Sequence, residues 1–305
     1  MTTITLLHPG AMGAALGEQA VRGGARVLWV PDGRSQATRT RAEKTGLEVC
    51  GSLAEALAVS DLVVSICPPH AAEDVARQVA GLRYAGVFVD ANAISPHRME
   101  RIAALFCERG AAAVDGAVFG PPPTGGRRAR LCLSGDRHGT RALADVFEGT
   151  DLRVRVLERP IGSASALKMA FAGFQKAART IAAVSHALAE AHGVAAELVE
   201  EARAMPADIL ANAGYLPSVA AKAWRWAPEM GEIAETLRRA GLPDDIARAT
   251  ASVMLRWEGD KDRFDMPLPE VYARLHTEGG KDLADEAWPE TEVPMGRAPA
   301  SGGMA

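Results

Sequence analysis

Short runs of β-branched and aliphatic residues recur through the first half of the chain, at Thr3–Leu7, Arg26–Val30, Leu62–Ile66 and Val87–Asp90. Each gives way to an Ala-rich polar stretch with helical spacing. Runs at Ala112–Val114, Ala129–Leu133 and Val154–Val156 also read as strands. Apolar runs without polar alternation, separated by helices, belong to a parallel sheet buried on both faces. The pattern predicts a doubly wound α/β domain over residues 1–160. After Pro160 the strand-like runs stop, and Ser163 to His192 reads as one helix closed by Gly193. At about 1.5 Å per residue such a helix is about 43 Å long, enough to join two domains or subunits. An all-α domain is expected over residues 161–290, with breaks at Pro206, Gly214–Pro217, Pro228, Gly241–Pro243 and Gly259. Residues 291–305 carry no apolar period and are expected to be disordered.

Composition narrows the class. The 305 residues are 48% hydrophobic and 24% charged, a soluble globular mixture. A net charge of −4 gives no footprint for nucleic acid or an anionic membrane surface. Cys50, Cys67, Cys107 and Cys132 are far apart and form no CxxC pair, so reduced thiols are expected. His70, His97, His138, His186, His192 and His276 lack metal-ligand spacing, and no metal is expected. No apolar run is long enough to span a bilayer, and the start of the chain does not read as a secretion signal. The expectation is a cytoplasmic protein whose partner is a small molecule.

The sharpest local signal is His8-Pro9-Gly10-Ala11-Met12-Gly13, between the first strand and a helix. A strand feeding a helix N-terminus there presents free N–H groups and the positive end of the dipole to a pyrophosphate. Gly10 would let the diphosphate reach the backbone, and Gly13 would let helix and strand pack closely. His8 stands where the usual GxGxxG has its first glycine, and is expected near the diphosphate.

In this turn and three later segments the chain resembles the β-hydroxyacid dehydrogenase superfamily, which includes 6-phosphogluconate and 3-hydroxyisobutyrate dehydrogenases. HPGAMG is similar to that family's GLGxMG. The segment Val89–Pro96, containing Asn92, is similar to the stretch beside its nicotinamide. Asp115–Gly120 resembles its substrate loop, and Gly162–Lys168 its GxxxxxK, which carries the catalytic lysine. The resemblance implies an N-terminal Rossmann-type domain joined by the long helix to an all-α domain. It also implies a homodimer, with Cys67 and Pro68 lying over the cofactor. Cys67 itself reads as an inert thiol. The closest likeness is to a branch with GPPP after the substrate-loop strand.

An acidic residue about 20 positions past the glycines would select NAD. Here that place is Pro31, followed by Asp32, Gly33, Arg34 and Ser35, with Arg39 and Arg41 in the next turn. A guanidinium and a hydroxyl suit a 2′-phosphate, so NADPH is expected over NADH.

Lys168 is the candidate acid/base. Desolvated near the positive end of its own helix, a lysine has its charged form disfavoured and can exchange a proton nearer neutral pH. Ala172, Gln175 and Arg179 share its face, and Gln175 is a candidate to replace the family's missing substrate asparagine. Leu167, Phe171, Phe174, Ala178 and Ile181 form an adjoining apolar stripe, read as core. In the substrate loop, Gly120, Pro121 and Thr124 are candidate contacts and Gly125 a further donor, while Arg127 and Arg128 read as solvated. Further on, Glu229 and Trp226 are candidate substrate contacts. If Glu229 faces the cleft it favours a cationic substrate such as an iminium.

Three functions follow. The leading one is an NADPH-dependent dehydrogenase or reductase of a small carbonyl or hydroxy compound. The second is an imine reductase or reductive aminase, and the third a non-catalytic nucleotide-binding protein.

Overall fold

The computed structural model of the protein describes residues 1–276 apart from 109, 206–208 and 210–211. The break expected at Pro206 and the tail at 291–305 lie outside the described residues.

One eight-stranded sheet organises the first half. Its strands are β1 (Thr3–Leu7), β2 (Arg26–Trp29), β3 (Glu48–Val49), β4 (Leu62–Ser65), β5 (Val87–Asp90), β6 (Ala112–Phe119), β7 (Ala129–Gly135) and β8 (Leu152–Val156). They lie in the order β3-β2-β1-β4-β5-β6-β7-β8. The chain therefore reverses its direction of strand addition between β1 and β4, where a doubly wound sheet opens its ligand crevice. All neighbours pair in parallel except β6 and β7, which are antiparallel with Phe119 opposite Arg130. The wholly parallel sheet expected from the sequence is corrected at that pair. A nine-residue loop joins β6 to β7 directly, and so short a link permits only a hairpin.

Helices α1 (Ala11–Arg22), α2 (Gln36–Lys44), α3 (Leu53–Ala58), α4 (Ala72–Gly81), α5 (Pro96–Cys107) and α6 (Arg137–Val146) flank the sheet. Two apolar clusters cover its faces: one gathers Leu16, Trp29, Val89 and Leu131, the other Phe88, Met99, Ile102 and Phe106. Stripping such surfaces from water, at about 25 cal/mol per Å², is the main force holding the layers together.

The long helix α7 spans Ser163–Ala191. It ends as expected: Gly193 has φ +70°, and the Val194 N–H returns to the Ala189 carbonyl at 2.9 Å. Among the described residues five further helices follow the long one, α8 (Ala195–Ala204), α9 (Leu216–Ala220), α10 (Ala223–Arg239), α11 (Asp245–Met254) and α12 (Leu268–Ala273). They enclose a third core around Met230, Met254 and Trp257. One expected break does not occur, at Pro228, and the one at Gly259 falls one residue before the helical run ends at Asp260. Pro228 lies inside α10, in its second turn, where neighbouring packing tolerates one lost hydrogen bond, and Gly259 falls within a 3₁₀ segment, Leu255–Asp260. No helix among the described residues is long and apolar enough to cross a membrane.

The helical half is pinned to the sheet half by Glu232 of α10. It accepts from the Ser95 N–H at 3.0 Å and pairs with Arg98 at 2.9 Å, so both contacts fall on the first turn of α5.

Candidate active site

At the sheet's reversal point, His8 takes a left-handed backbone with φ +65°, a conformation that a non-glycine residue adopts at a cost of about 1–2 kcal/mol. The bend turns the chain into α1, and the Gly10 N–H closes on the His8 carbonyl at 2.7 Å. Gly10 caps α1 without a side-chain hydrogen bond, and no acidic residue occupies the first turn. A Cβ on Gly10 would meet nothing within 4 Å, whereas one on Gly13 would lie 2.6 Å from the His8 carbonyl oxygen and 2.7 Å from Ile66. The two glycines thus divide as their spacing suggests: Gly13 is needed for packing, and Gly10 leaves open space above the helix end. Ala11 is exposed and Met12 half-buried beside it.

Two buried polar atoms at this turn have no hydrogen-bond partner, His8 Nδ1 and Arg34 Nε. Burial, and then the nearby Arg34 guanidinium, holds the His8 imidazole down at about 4, so it is neutral at physiological pH. Burial also lowers Arg34, against the pull of Cys67 and Asp32. An uncapped helix end, an open glycine and two unsatisfied nitrogens fit a nicotinamide dinucleotide, whose phosphates supply the missing acceptors. Ser35 spends its hydroxyl as the cap of α2, accepting from the Thr38 N–H at 3.3 Å. Arg39 donates to the Pro31 carbonyl at 2.7 Å and Arg41 to that of Pro9 at 3.5 Å, so both brace the turn.

Asn92 is buried and ties two strand ends together. Its Oδ1 accepts from the Cys67 N–H at 2.5 Å, and its Nδ2 donates to Asp90 at 2.8 Å and to Ser65 at 3.2 Å. Asp90, wholly buried, is pushed up to about 7 by desolvation. Burial raises the Cys67 thiol to about 11, which keeps it protonated and unreactive. Pro68 leads from it into a 3₁₀ turn.

Lys168 stands in the second turn of α7. Its Nζ donates to the Val118 carbonyl at 2.8 Å and lies 5.1 Å from the Phe119 ring, so it points at the last residues of β6. The site's registration comes from Asp115 on the same strand, which takes the Ser165 N–H at 2.9 Å, the Ser165 hydroxyl at 2.7 Å and the Ser134 hydroxyl at 3.1 Å. Burial pushes the Lys168 ammonium below the usual lysine range; Glu229 opposes this, and Lys176 and Arg225 reinforce it. A desolvated amine beside strand ends is suited to giving and taking a proton.

Lys176, two turns further along α7, was not singled out by the sequence. Its Nζ pairs with Glu229 at 2.9 Å, and both side chains are nearly buried. The charge of Glu229 is therefore already matched, which removes the expected preference for a cationic substrate. Trp226 does line this region, with Lys176 at 5.4 Å and Lys222 at 5.7 Å from its ring. Gln175 is held by Arg179, which donates to its side-chain and main-chain oxygens.

The loop after β6 leads elsewhere. Gly120, at φ +107°, turns the chain, and exposed Pro121 and half-buried Pro122 precede Pro123, whose carbonyl takes a 2.8 Å bond from Gln19 of α1. The Thr124 N–H is spent on the Pro122 carbonyl, and Thr124 also accepts from Arg127. The stripe read as core is corrected too: Phe174 and Ile181 are 64% and 62% exposed, and Leu167 and Phe171 over 40%. Apolarity predicted burial, but the described residues of the single chain leave this face uncovered.

Among the described residues no three His, Cys, Asp or Glu side chains gather as a metal site would require.

Comparison with known proteins places these features. Residues 3–156 match the model of the NAD binding domain of 6-phosphogluconate dehydrogenase, and residues 189–257 match a domain of unknown function, DUF1932. The chain is 30% identical over 190 residues to an NADH-dependent oxidoreductase, ucdB, of Aspergillus ustus, covering 60% of this chain and 64% of that protein. It spans less than two thirds of the length of the curated relatives it matches. A 3-hydroxyisobutyrate dehydrogenase of Mycobacterium tuberculosis, solved with L-serine, superposes with a TM-score of 0.71 at 19% identity, over 91% of this chain and all of that one. A reductive aminase of Aspergillus terreus, solved with NADPH and ethyl-5-oxohexanoate, gives a TM-score of 0.54 at 19% identity, over 90% of this chain and 100% of that one. At such identities the solved structures share the fold.

Proposed function

The chain belongs to the family of the NAD binding domain of 6-phosphogluconate dehydrogenase, and from that premise we propose an NADPH-dependent oxidoreductase of a small carbonyl or hydroxy compound, with Lys168 as acid/base. The observation that carries the reading is the half-buried Lys168 amine, aimed at the end of β6 and fixed there through the Asp115–Ser165 contact. The residues that would hold the cofactor are Gly10, Ala11, Met12 and Gly13 at the diphosphate and Arg34 at the adenosine phosphate. Asn92 holds the Cys67-Pro68 segment, which would lie against the bound cofactor. Bound there, the nicotinamide supplies or accepts a hydride.

The chain's own part is the proton. In reduction the Lys168 ammonium gives a proton to the carbonyl oxygen while the carbon gains the hydride; in oxidation the neutral amine takes it back. Its lowered proton affinity makes both forms accessible nearer neutrality than for a solvated lysine. Imine reduction is disfavoured by charge, because Glu229 is neutralised by Lys176. The reading includes a cytoplasmic homodimer: the exposed Phe174–Ile181 stripe asks for a second copy to cover it.

The test follows NADPH absorbance with keto acids, aldehydes and imines in parallel. Steady oxidation with a carbonyl compound, lost in Lys168→Ala, is the expected result. Binding of NADPH without turnover on any substrate would leave a nucleotide-binding protein.

A further inference from the structure

The wall of the cleft beyond Lys168 carries far more positive than negative charge. Lys168, Lys176 and Arg179 come from α7, Lys222 from the start of α10, and Arg225 from its first turn. They form one electrostatic neighbourhood: Lys176 and Arg225 act on Lys168, Arg225 and Arg179 act on Lys176, and the same two arginines act on Lys222. Among the described residues, Glu229 is the one carboxylate within ion-pair distance of any of the five, and it is taken by Lys176. The other partners are neutral. Lys168 has the Val118 carbonyl, Arg179 has Gln175, and Lys222 has the Ser218 hydroxyl.

Elsewhere in the protein, arginines at structural positions find carboxylates. Arg98 meets Glu232, Arg248 meets Asp244, and Arg263 and Arg274 share Asp260 and Glu270. The cleft is the exception, and an expensive one. Nearly buried Lys176 has Glu229, but Lys168 and Lys222 are half-buried and lose hydration without an ion-pair partner of their own. Like charges in such surroundings raise one another's cost, and burial pushes all three lysines below their usual range. A bound anion relieves both costs together.

We propose that this cleft binds a substrate with two acidic groups, the second one, a carboxylate or phosphate, held by Lys222 and Arg179 beside Trp226. A single acid beside Lys168 would leave the far end of the cluster uncompensated. The Trp226 ring, within 6 Å of both Lys176 and Lys222, and Tyr215, 5.6 Å from the Arg179 guanidinium, give flat walls for the carbon chain between the acids. The inference rests on the reading of Lys168 as the reacting end, and it narrows the substrate to hydroxy or keto dicarboxylates or phosphorylated acids.

The test is binding rather than turnover. The full-length protein, with and without NADPH, is titrated calorimetrically with three unreactive probes: glutarate, its monoacid counterpart valerate, and 3-phosphonopropionate. At least one dianion should bind about tenfold or more tightly than valerate, the gap should narrow at high salt, and the tighter dianion names the second acid. Lys222→Met should erase most of the gap while Lys222→Arg keeps it, with circular dichroism confirming that both variants fold. Equal affinity for dianions and valerate, or a gap unchanged in a folded Lys222→Met, overturns the proposal. Because these probes cannot react, a cleft that prefers dianions in a protein without any turnover would sink the enzymatic reading and leave the anion site standing.

Discussion

Ser165 gives both its backbone N–H and its hydroxyl to the buried Asp115 carboxylate, at 2.9 and 2.7 Å. Three residues on in each element, Lys168 of α7 meets Val118 of β6 at 2.8 Å. Two contacts with the same three-residue spacing therefore register helix against strand, and the first sets where the second falls. Replacing Asp115 by Asn puts an amide N–H against a donor. We expect a loss of about 1–3 kcal/mol in thermal unfolding and a lower kcat, with NADPH affinity unchanged. Ser165→Ala, which keeps the backbone bond, should cost about 1 kcal/mol.

The glycine turn separates cofactor binding from folding. Gly10→Ala adds a methyl to open space at an ordinary backbone angle, so the melting temperature should hold while NADPH affinity, read by fluorescence titration, drops about tenfold or more. Gly13→Ala forces a Cβ against a carbonyl and Ile66 and should destabilise the protein by about 1–3 kcal/mol. Equal loss of stability in both variants would contradict this division.

Protonation at His8 gives an acid-side signature. Its affinity for the proton falls from 6.5 unfolded to about 4 folded, so the unfolded chain binds more protons between those values. Stability should decline as pH drops from about 6.5 to about 4, and His8→Asn should flatten that part of the curve. Denaturant melts of the two proteins across this range are the check.

Lys168 acts on the alkaline side. Burial lowers its folded value beneath the unfolded 10.5, so protein stability climbs with pH between the two. In Lys168→Met the part of the climb due to Lys168 disappears, leaving that of Lys176 and Lys222, and the difference between the two stability curves should change across this window only.

The exposed stripe on α7 predicts assembly. Phe174→Glu combined with Ile181→Arg should turn a dimer into a folded monomer by sedimentation velocity. A parent protein that is monomeric at high concentration would remove the dimer from the account.

Much of this was legible in the sequence because buried parallel strands are written as unbroken apolar runs. β3 was missed for the opposite reason: its two residues, Glu48 and Val49, are both exposed and leave no run. β6 reads in the sequence only as far as Val114, since Asp115 and Gly116 interrupt its apolarity, though both are buried. Lys168 and the glycine turn could be found from motif and position. Lys176 could not, because its partner Glu229 lies 53 residues away and no local pattern links them. The apolar face of α7 is plain in the sequence but its side is not, since hydrophobicity tells that a surface wants cover and not which chain provides it.

The central claim is tested most directly by single-turnover NADPH oxidation in Lys168→Ala, with the dissociation constant for NADPH measured on the same sample. The account predicts a rate lower by about 10²–10⁴, as for loss of a positioned proton donor, at unchanged NADPH affinity. A rate within a few-fold of the parent would contradict it.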